Sequence, residues 1–173
     1  AKVFPDAQSA DSIAKAFAPA AKAKAYTKTE ATIQKDLATN ADKVKKDDAI
    51  IEAYLAKNNL KSEKSPWGVY VVTTTPGTGP KLTQNDVAVM SYTGKTFNDS
   101  TFDSNTDPKF SHIEPLYVDM GTFRVMPGWI DGLKMMQKGS VGKLIIPSSL
   151  GYGKRGSPPK IGPDENLIFD VAV

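Results

Sequence analysis

The sequence predicts an α+β protein, in which an antiparallel sheet of about five strands curls over one short helix and a small all-α region precedes it. Three observations lead there. The composition changes abruptly near "KSEKSPWG": residues 1–64 are rich in Ala, Lys and Asp and lack glycine, whereas all 13 glycines lie from Gly68 onward. Segments of the second region alternate apolar and polar residues with period two, the spacing of half-buried strands. Finally, the one helical stripe in that region is about two turns long and the remaining connections are turns, which leaves no room for the long crossovers of parallel βαβ units. The expected organisation is a helical extension over 1–64 and a second domain over 65–173.

In the extension, "DSIAKAFAPAAKAKAY" carries Ile13 and Phe17 at i, i+4 spacing, and "TEATIQKDLATNADKV" carries Ile33, Leu37 and Val44. "DDAIIEAYLAKNNLK" carries Ile50, Ile51, Tyr54 and Leu55 after an Asp pair suited to a helix start, which predicts a final helix over 47–58. Several short helices are expected. A region of this length with so few large apolar groups is marginal alone. It is expected to pack on its neighbour, to pair with another copy as a homodimer, or to be partly disordered.

In the second region, "WGVYVVTTT" (67–75) reads as a strand ending at "PGTGP". "DVAVMSYTGKTF" (86–97) sets Val87, Val89, Ser91 and Thr93 against Ala88, Met90 and Tyr92. "PLYVDMG" (115–121), "VGKLIIP" (141–147) and "NLIFDVAV" (166–173) supply further strands. Between them, Trp129, Ile130, Leu133 and Met136 form the buried stripe of a helix over 129–137, with Lys138 in its last turn and Gly139 beyond it. A tryptophan on such a stripe usually fills core. Its place directly after the Pro127–Gly128 turn raises a second possibility, the floor of a pocket.

The bulk numbers exclude several classes. No run of about 18 apolar residues offers a transmembrane helix. Cysteine is absent, which removes disulfides and thiolate chemistry. The net charge of +3 lies in the extension, where 12 Lys face 9 acidic residues. Those lysines are scattered among acids without aromatic interleaving, so no nucleic-acid partner is expected. "GYGKRG" (151–156) matches a dinucleotide-binding pattern, but "SPPKIGP" follows it and cannot open a helix. The one histidine, His112, lacks any companion motif for a metal site or a nucleophilic triad. It reads as a loop residue without catalytic role. No carboxylate pair is singled out by spacing. Any enzymatic chemistry must therefore use few polar groups, with no metal and no cofactor.

"SYTGKTF", "TFDSNTD" and the long run "MGTFRVMPGWIDGLKMMQKGSVGKLIIPSSLGYGKRGSPPKIGPDENLIFDV" closely resemble the FKBP family of peptidyl-prolyl cis-trans isomerases. The resemblance covers about residues 66–173, and helical N-terminal extensions occur among bacterial members. It implies a five- or six-stranded antiparallel sheet wrapped around one short helix. It also implies a catalytic set of Tyr92, Asp103 and Tyr152, and a substrate pocket of Phe102, Leu116, Val125, Met126, Trp129, Ile161 and Phe169. In that scheme Trp129 is the floor for a proline ring, the Met126 backbone amide and the Tyr152 hydroxyl meet ligand carbonyls, and Ile161 and Phe169 close the far side. The implied activity is rotation about X–Pro bonds in peptides and unfolded protein clients, with macrolides as inhibitors. Some positions depart from the family. Leu116 stands where an aromatic residue is common, Met126 replaces Ile or Val, and Ser157 replaces a His found in one well-known member. Pro108 occupies the place of an Arg that partners the pocket carboxylate in some members, and a few residues are inserted before Pro115. The partners of Asp103 are thus open. A location in the cell envelope or periplasm, after removal of a leader, is expected, with the cytoplasm as alternative.

Overall fold

The computed structural model describes residues 19–173. The Ile13 and Phe17 pair lies outside the described residues. Two helices come first, α1 (Pro19–Thr39) and α2 (Ala41–Lys57). They meet at Asn40, where the backbone leaves helical angles (φ −104°, ψ 30°), yet bonds from Asn40 to Asp36 and from Val44 to Asn40 carry the helical pattern across. Ala- and Lys-rich chain with no interior Gly or Pro propagates helix once nucleated. Two long helices therefore form where several short ones were expected.

The Asp47–Asp48 pair does not start a helix at 47; it sits inside α2, and tertiary partners explain why. Asp47 is 1% exposed, pairs with Lys43 one turn earlier and accepts a 2.9 Å hydrogen bond from the Ser148 hydroxyl. Asp48 pairs with Lys64 at 2.7 Å, and both it and Glu52 lie 3.0 Å from the Tyr70 hydroxyl, which has one proton to share between them.

Seven strands follow: β1 (Glu63–Lys64), β2 (Tyr70–Thr75), β3 (Val87–Thr96), β4 (Thr101–Ser104), β5 (Leu116–Asp119), β6 (Val141–Ile146) and β7 (Leu167–Ala172). Helix α3 (Pro127–Leu133) lies between β5 and β6. The strands pair antiparallel in the order β1-β2-β6-β7-β3-β4, and β5 pairs with the first half of β3. This is the expected α+β architecture, extended by the short strands β1 and β4. Helix α3 is shorter than the expected 129–137. Pro127 occupies its first turn, where a missing N–H costs nothing. After Leu133 the chain tightens into i→i−3 bonds from Met135 and Met136 and turns at Gly139 (φ +84°).

Both faces of the sheet are covered. On one, Val71, Leu144 and Phe169 pack with Ile130, Leu133 and Met136. On the other, Tyr70, Val72, Ile145 and Ile168 pack against Ile51 and Leu55 of α2. Two-sided burial explains the continuous apolar runs Tyr70–Val72 in β2, Leu144–Ile146 in β6 and Leu167–Phe169 in β7. The first half of β3 keeps strict alternation, with Ala88 and Met90 buried and Val87 and Val89 facing outward. Helix α1 joins the first core: Tyr26 stacks on Phe123 at 5.0 Å, Phe123 stacks on Trp67 at 6.0 Å, and Lys134 donates to the Tyr26 hydroxyl. Helices α1 and α2 thus pack on the neighbouring sheet region, one of the outcomes expected for the extension.

Candidate active site

Strand β3 changes partners halfway along. Val87–Met90 pair with β5, whereas Ser91–Thr96 pair with β7 and, in part, β4. At this parting the sheet opens into a cavity of about 410 Å³. Tyr92 enters it from β3, Phe102 and Asp103 from β4, Leu116 from β5 and Phe169 from β7. Arg124, Val125 and Met126 come from the segment that enters α3, Trp129 from α3 itself and Tyr152 from the loop after β6. Every expected site residue except Ile161 lines this cavity. Ile161 is 3% exposed and packed in the core behind it. Its loop folds tightly on itself: a Cβ on Gly156 (φ +62°) would lie 2.5 Å from the Gly162 carbonyl oxygen, and Ile161 pairs back with Ser157.

The aromatic side chains meet edge to face. Trp129, 3% exposed, has its ring 5.2 Å from Tyr92 (83°) and 4.9 Å from Phe169 (71°), and Phe102 meets Phe169 at 5.6 Å (88°). Such geometry places ring edges against ring faces, the favoured arrangement for aromatic quadrupoles. Gly94 makes it possible. A Cβ there would sit 2.6 Å from the Phe102 ring and 2.8 Å from the Phe169 ring, so both rings rest on bare backbone. Trp129 and Phe169 thus serve core and cavity together.

The polar groups gather around Asp103. One carboxylate oxygen accepts a 2.7 Å bond from the Tyr92 hydroxyl. The other accepts from the Ser104 amide at 3.0 Å and lies 2.8 Å from Nε2 of His112. Burial, then the bond to Asp103, pushes the Tyr92 phenol above its ordinary value. Burial and the nearby Asp103 charge push the Tyr152 phenol up as well. Both hydroxyls therefore stay protonated donors across the physiological range. Among the described residues no group accepts from the Met126 N–H or bonds the Tyr152 hydroxyl, so both are open to a ligand.

Two residues at the site escaped the sequence reading. His112, expected as a loop residue without catalytic role, does lie on a loop but is a direct partner of Asp103; the signal was its place in the insertion that follows "FDS". Arg124, immediately before Val125, lines the cavity with no ion-pair partner among the described residues. Among the described residues, no cluster of three or more His, Asp or Glu is placed to hold a metal ion.

Comparison with known proteins agrees with this fold. Residues 79–173 match the family model described as FKBP-type peptidyl-prolyl cis-trans isomerase. The chain is 43% identical over 91 residues to the peptidyl-prolyl cis-trans isomerase FKBP2 of Mus musculus, covering 53% of this chain and 62% of that protein. It is 34% identical over 152 residues to the FKBP-type peptidyl-prolyl cis-trans isomerase FkpA of Escherichia coli K12, covering 86% of this chain and 51% of that protein. The second match is too long to be confined to residues 65–173, so it reaches into the helical extension. The chain spans only about half to three fifths of the length of these relatives. Among solved structures, a peptidyl-prolyl cis-trans isomerase from Pseudomonas syringae pv. tomato superposes with a TM-score of 0.61 at 27% identity, over 77% of this chain and 92% of that one. With the sheet, the aromatic cavity and the matched sequence in agreement, the chain belongs to the FKBP-type peptidyl-prolyl cis-trans isomerase family.

Proposed function

We propose that the cavity binds an X–Pro segment and catalyses rotation about its peptide bond. Amide resonance sets a barrier of about 18–20 kcal/mol, which makes the uncatalysed step slow. Twisting the C–N bond destroys that resonance, so the carbonyl loses polarity and the nitrogen becomes pyramidal. A cavity walled by Trp129, Phe169, Phe102 and Leu116 disfavours the charge-separated planar amide relative to the twisted one. The open Met126 N–H and Tyr152 hydroxyl can hold the carbonyls on either side, and they accelerate rotation to the extent that they bind the twisted state more tightly. Asp103, fixed at the wall, adds an oriented negative charge.

The observation that carries this reading is the buried indole floor of Trp129 beneath two donors that have no partner among the described residues. A protease-coupled assay on proline tetrapeptides tests it. Loss of one neutral hydrogen bond is worth about 0.5–1.5 kcal/mol, so Tyr152→Phe should lower kcat/KM about two- to tenfold. Asp103→Ala should lower it further. A wild type with no activity contradicts the proposal and leaves the alternative, a proline-peptide binding or chaperone module with this pocket.

The wider proposal follows from the same site. Substrates are proline-containing peptides and unfolded clients, and macrolides are candidate inhibitors whose grip the aliphatic Leu116 weakens. Residues 65–173 form the isomerase unit and residues 1–64 an extension. Because Tyr26, Ile51 and Leu55 are used within the chain, a cover over the sheet is better supported than a homodimer; light scattering of the whole chain distinguishes them. An envelope or periplasmic location is proposed, with fractionation of the producing cell as its test.

A further inference from the structure

We infer that His112 is a positioning residue of this site: by holding one oxygen of Asp103, its imidazole fixes the carboxylate and, through it, the Tyr92 hydroxyl at the cavity wall. The inference rests on the isomerase reading above. Both oxygens of Asp103 are engaged from opposite sides, one by Tyr92 at 2.7 Å and the other by His112 at 2.8 Å with the Ser104 amide at 3.0 Å. An ionised carboxylate only accepts hydrogen bonds, so Nε2 carries the proton whether the ring is neutral or charged. The side chains of His112 and Asp103 are 49% and 39% exposed. A carboxylate that open to water swings readily unless it is tied on both sides.

The loop that delivers His112 is built at each end. Asn105 accepts from the Tyr92 amide and donates at 3.0 Å to the carbonyls of Met90 and Glu114, which ties the exit of β4 to the entry of β5. In between, Asp107 accepts from the Lys109 amide at 3.0 Å and caps a short turn over Pro108–Phe110. Ser111 then takes a left-handed conformation (φ 61°), turning the chain so that the next residue meets Asp103. Thus the contact belongs to the loop's construction.

The groups around the pair are the Tyr92 and Tyr152 phenols from β3 and the loop after β6, Arg124 from the segment entering α3, and Asp107, Lys109 and Glu114 on the histidine's own loop. Lys160 reaches over Phe110 to the Phe102 carbonyl at 2.9 Å. Among the described residues, His112 is the only basic group in ion-pair contact with Asp103.

The test is the isomerase assay on the full chain, comparing wild type, His112→Ala and His112→Gln at neutral pH. The Gln amide can donate to Asp103 in place of the imidazole. His112→Ala should be about two- to tenfold lower in kcat/KM than wild type, with the loss in kcat and not in KM. His112→Gln should recover most of that activity. An active wild type with His112→Ala unchanged, or with no recovery in His112→Gln, overturns the inference while the isomerase reading stands. An inactive wild type overturns the isomerase reading and the catalytic part of this one. The contact is then judged by the Nε2 and Nε2-bound proton shifts of the chain's one histidine: a hydrogen-bonded Nε2–H signal that moves in Asp103→Ala supports the hold, and a signal unchanged by that substitution refutes it.

Discussion

Replacing Ile51 with alanine tests whether the helical extension is a structural part of the isomerase region. Ile51 is fully buried and, with Leu55, covers Tyr70, Val72, Ile145 and Ile168 on the sheet face opposite α3. Truncation of a buried Ile to Ala costs about 2–5 kcal/mol, from lost transfer energy and from the cavity left behind. With a urea slope of about 2 kcal/mol/M, the unfolding midpoint should fall by about 1–2.5 M. Fluorescence is the suitable probe, because both tryptophans, Trp67 and Trp129, lie in the other core and report on the region that carries the site. Activity should persist, since Ile51 does not line the cavity. A fluorescence midpoint that stays in place while only the helical circular dichroism signal weakens would refute the shared core.

Three further substitutions probe separate parts of the account. Trp129→Leu should abolish the fluorescence response to a proline peptide and lower stability by less than the about 3–5 kcal/mol of a Trp-to-Ala truncation; an unchanged response would remove the indole from the binding surface. Asp47→Ala strips the Ser148 hydroxyl and Lys43 of a buried acceptor and should cost about 1–3 kcal/mol in chemical denaturation; a negligible cost would mean that this buried link does not tie α2 to the loop carrying Tyr152. At Asp170, burial opposes ionisation, but Lys143 and Lys95 outweigh it and hold the carboxyl below its usual range. A depressed folded-state value gives stability that is present above the unfolded carboxyl range, near about pH 4, and is lost as pH falls through the folded one. Asp170→Asn should therefore flatten the acid end of the stability curve, yet cost under about 1 kcal/mol at neutral pH because the group is one-third exposed.

Most of the sheet is legible in the sequence because strand periodicity and turn chemistry are local properties. The expected strands over 67–75, 86–97, 141–147 and 166–173 each contain an observed one. The aromatic set from Tyr92 to Phe169 is legible only through the resemblance to the FKBP family, which implies those residues position by position. What could not be read depends on partners distant in the chain. The Asp47–Asp48 pair has the local character of a helix start, and only Lys43, Ser148, Lys64 and Tyr70 make those acids welcome inside α2. The apolar runs Leu144–Ile146 and Leu167–Phe169 imply cover on two faces, but not which element supplies the second. His112 looked isolated because its partner lies across a loop whose Asn105 and Asp107 bonds decide where the imidazole points.

The most direct test of the central claim is exchange NMR on a short X–Pro peptide with the full chain present at a small fraction of the peptide concentration. The account predicts cis–trans exchange cross-peaks far faster than the tens of seconds of the free peptide, weakened by Tyr152→Phe and restored to near wild type by His112→Gln relative to His112→Ala. Peptide resonances that shift on binding while the exchange rate stays at its uncatalysed value would contradict it.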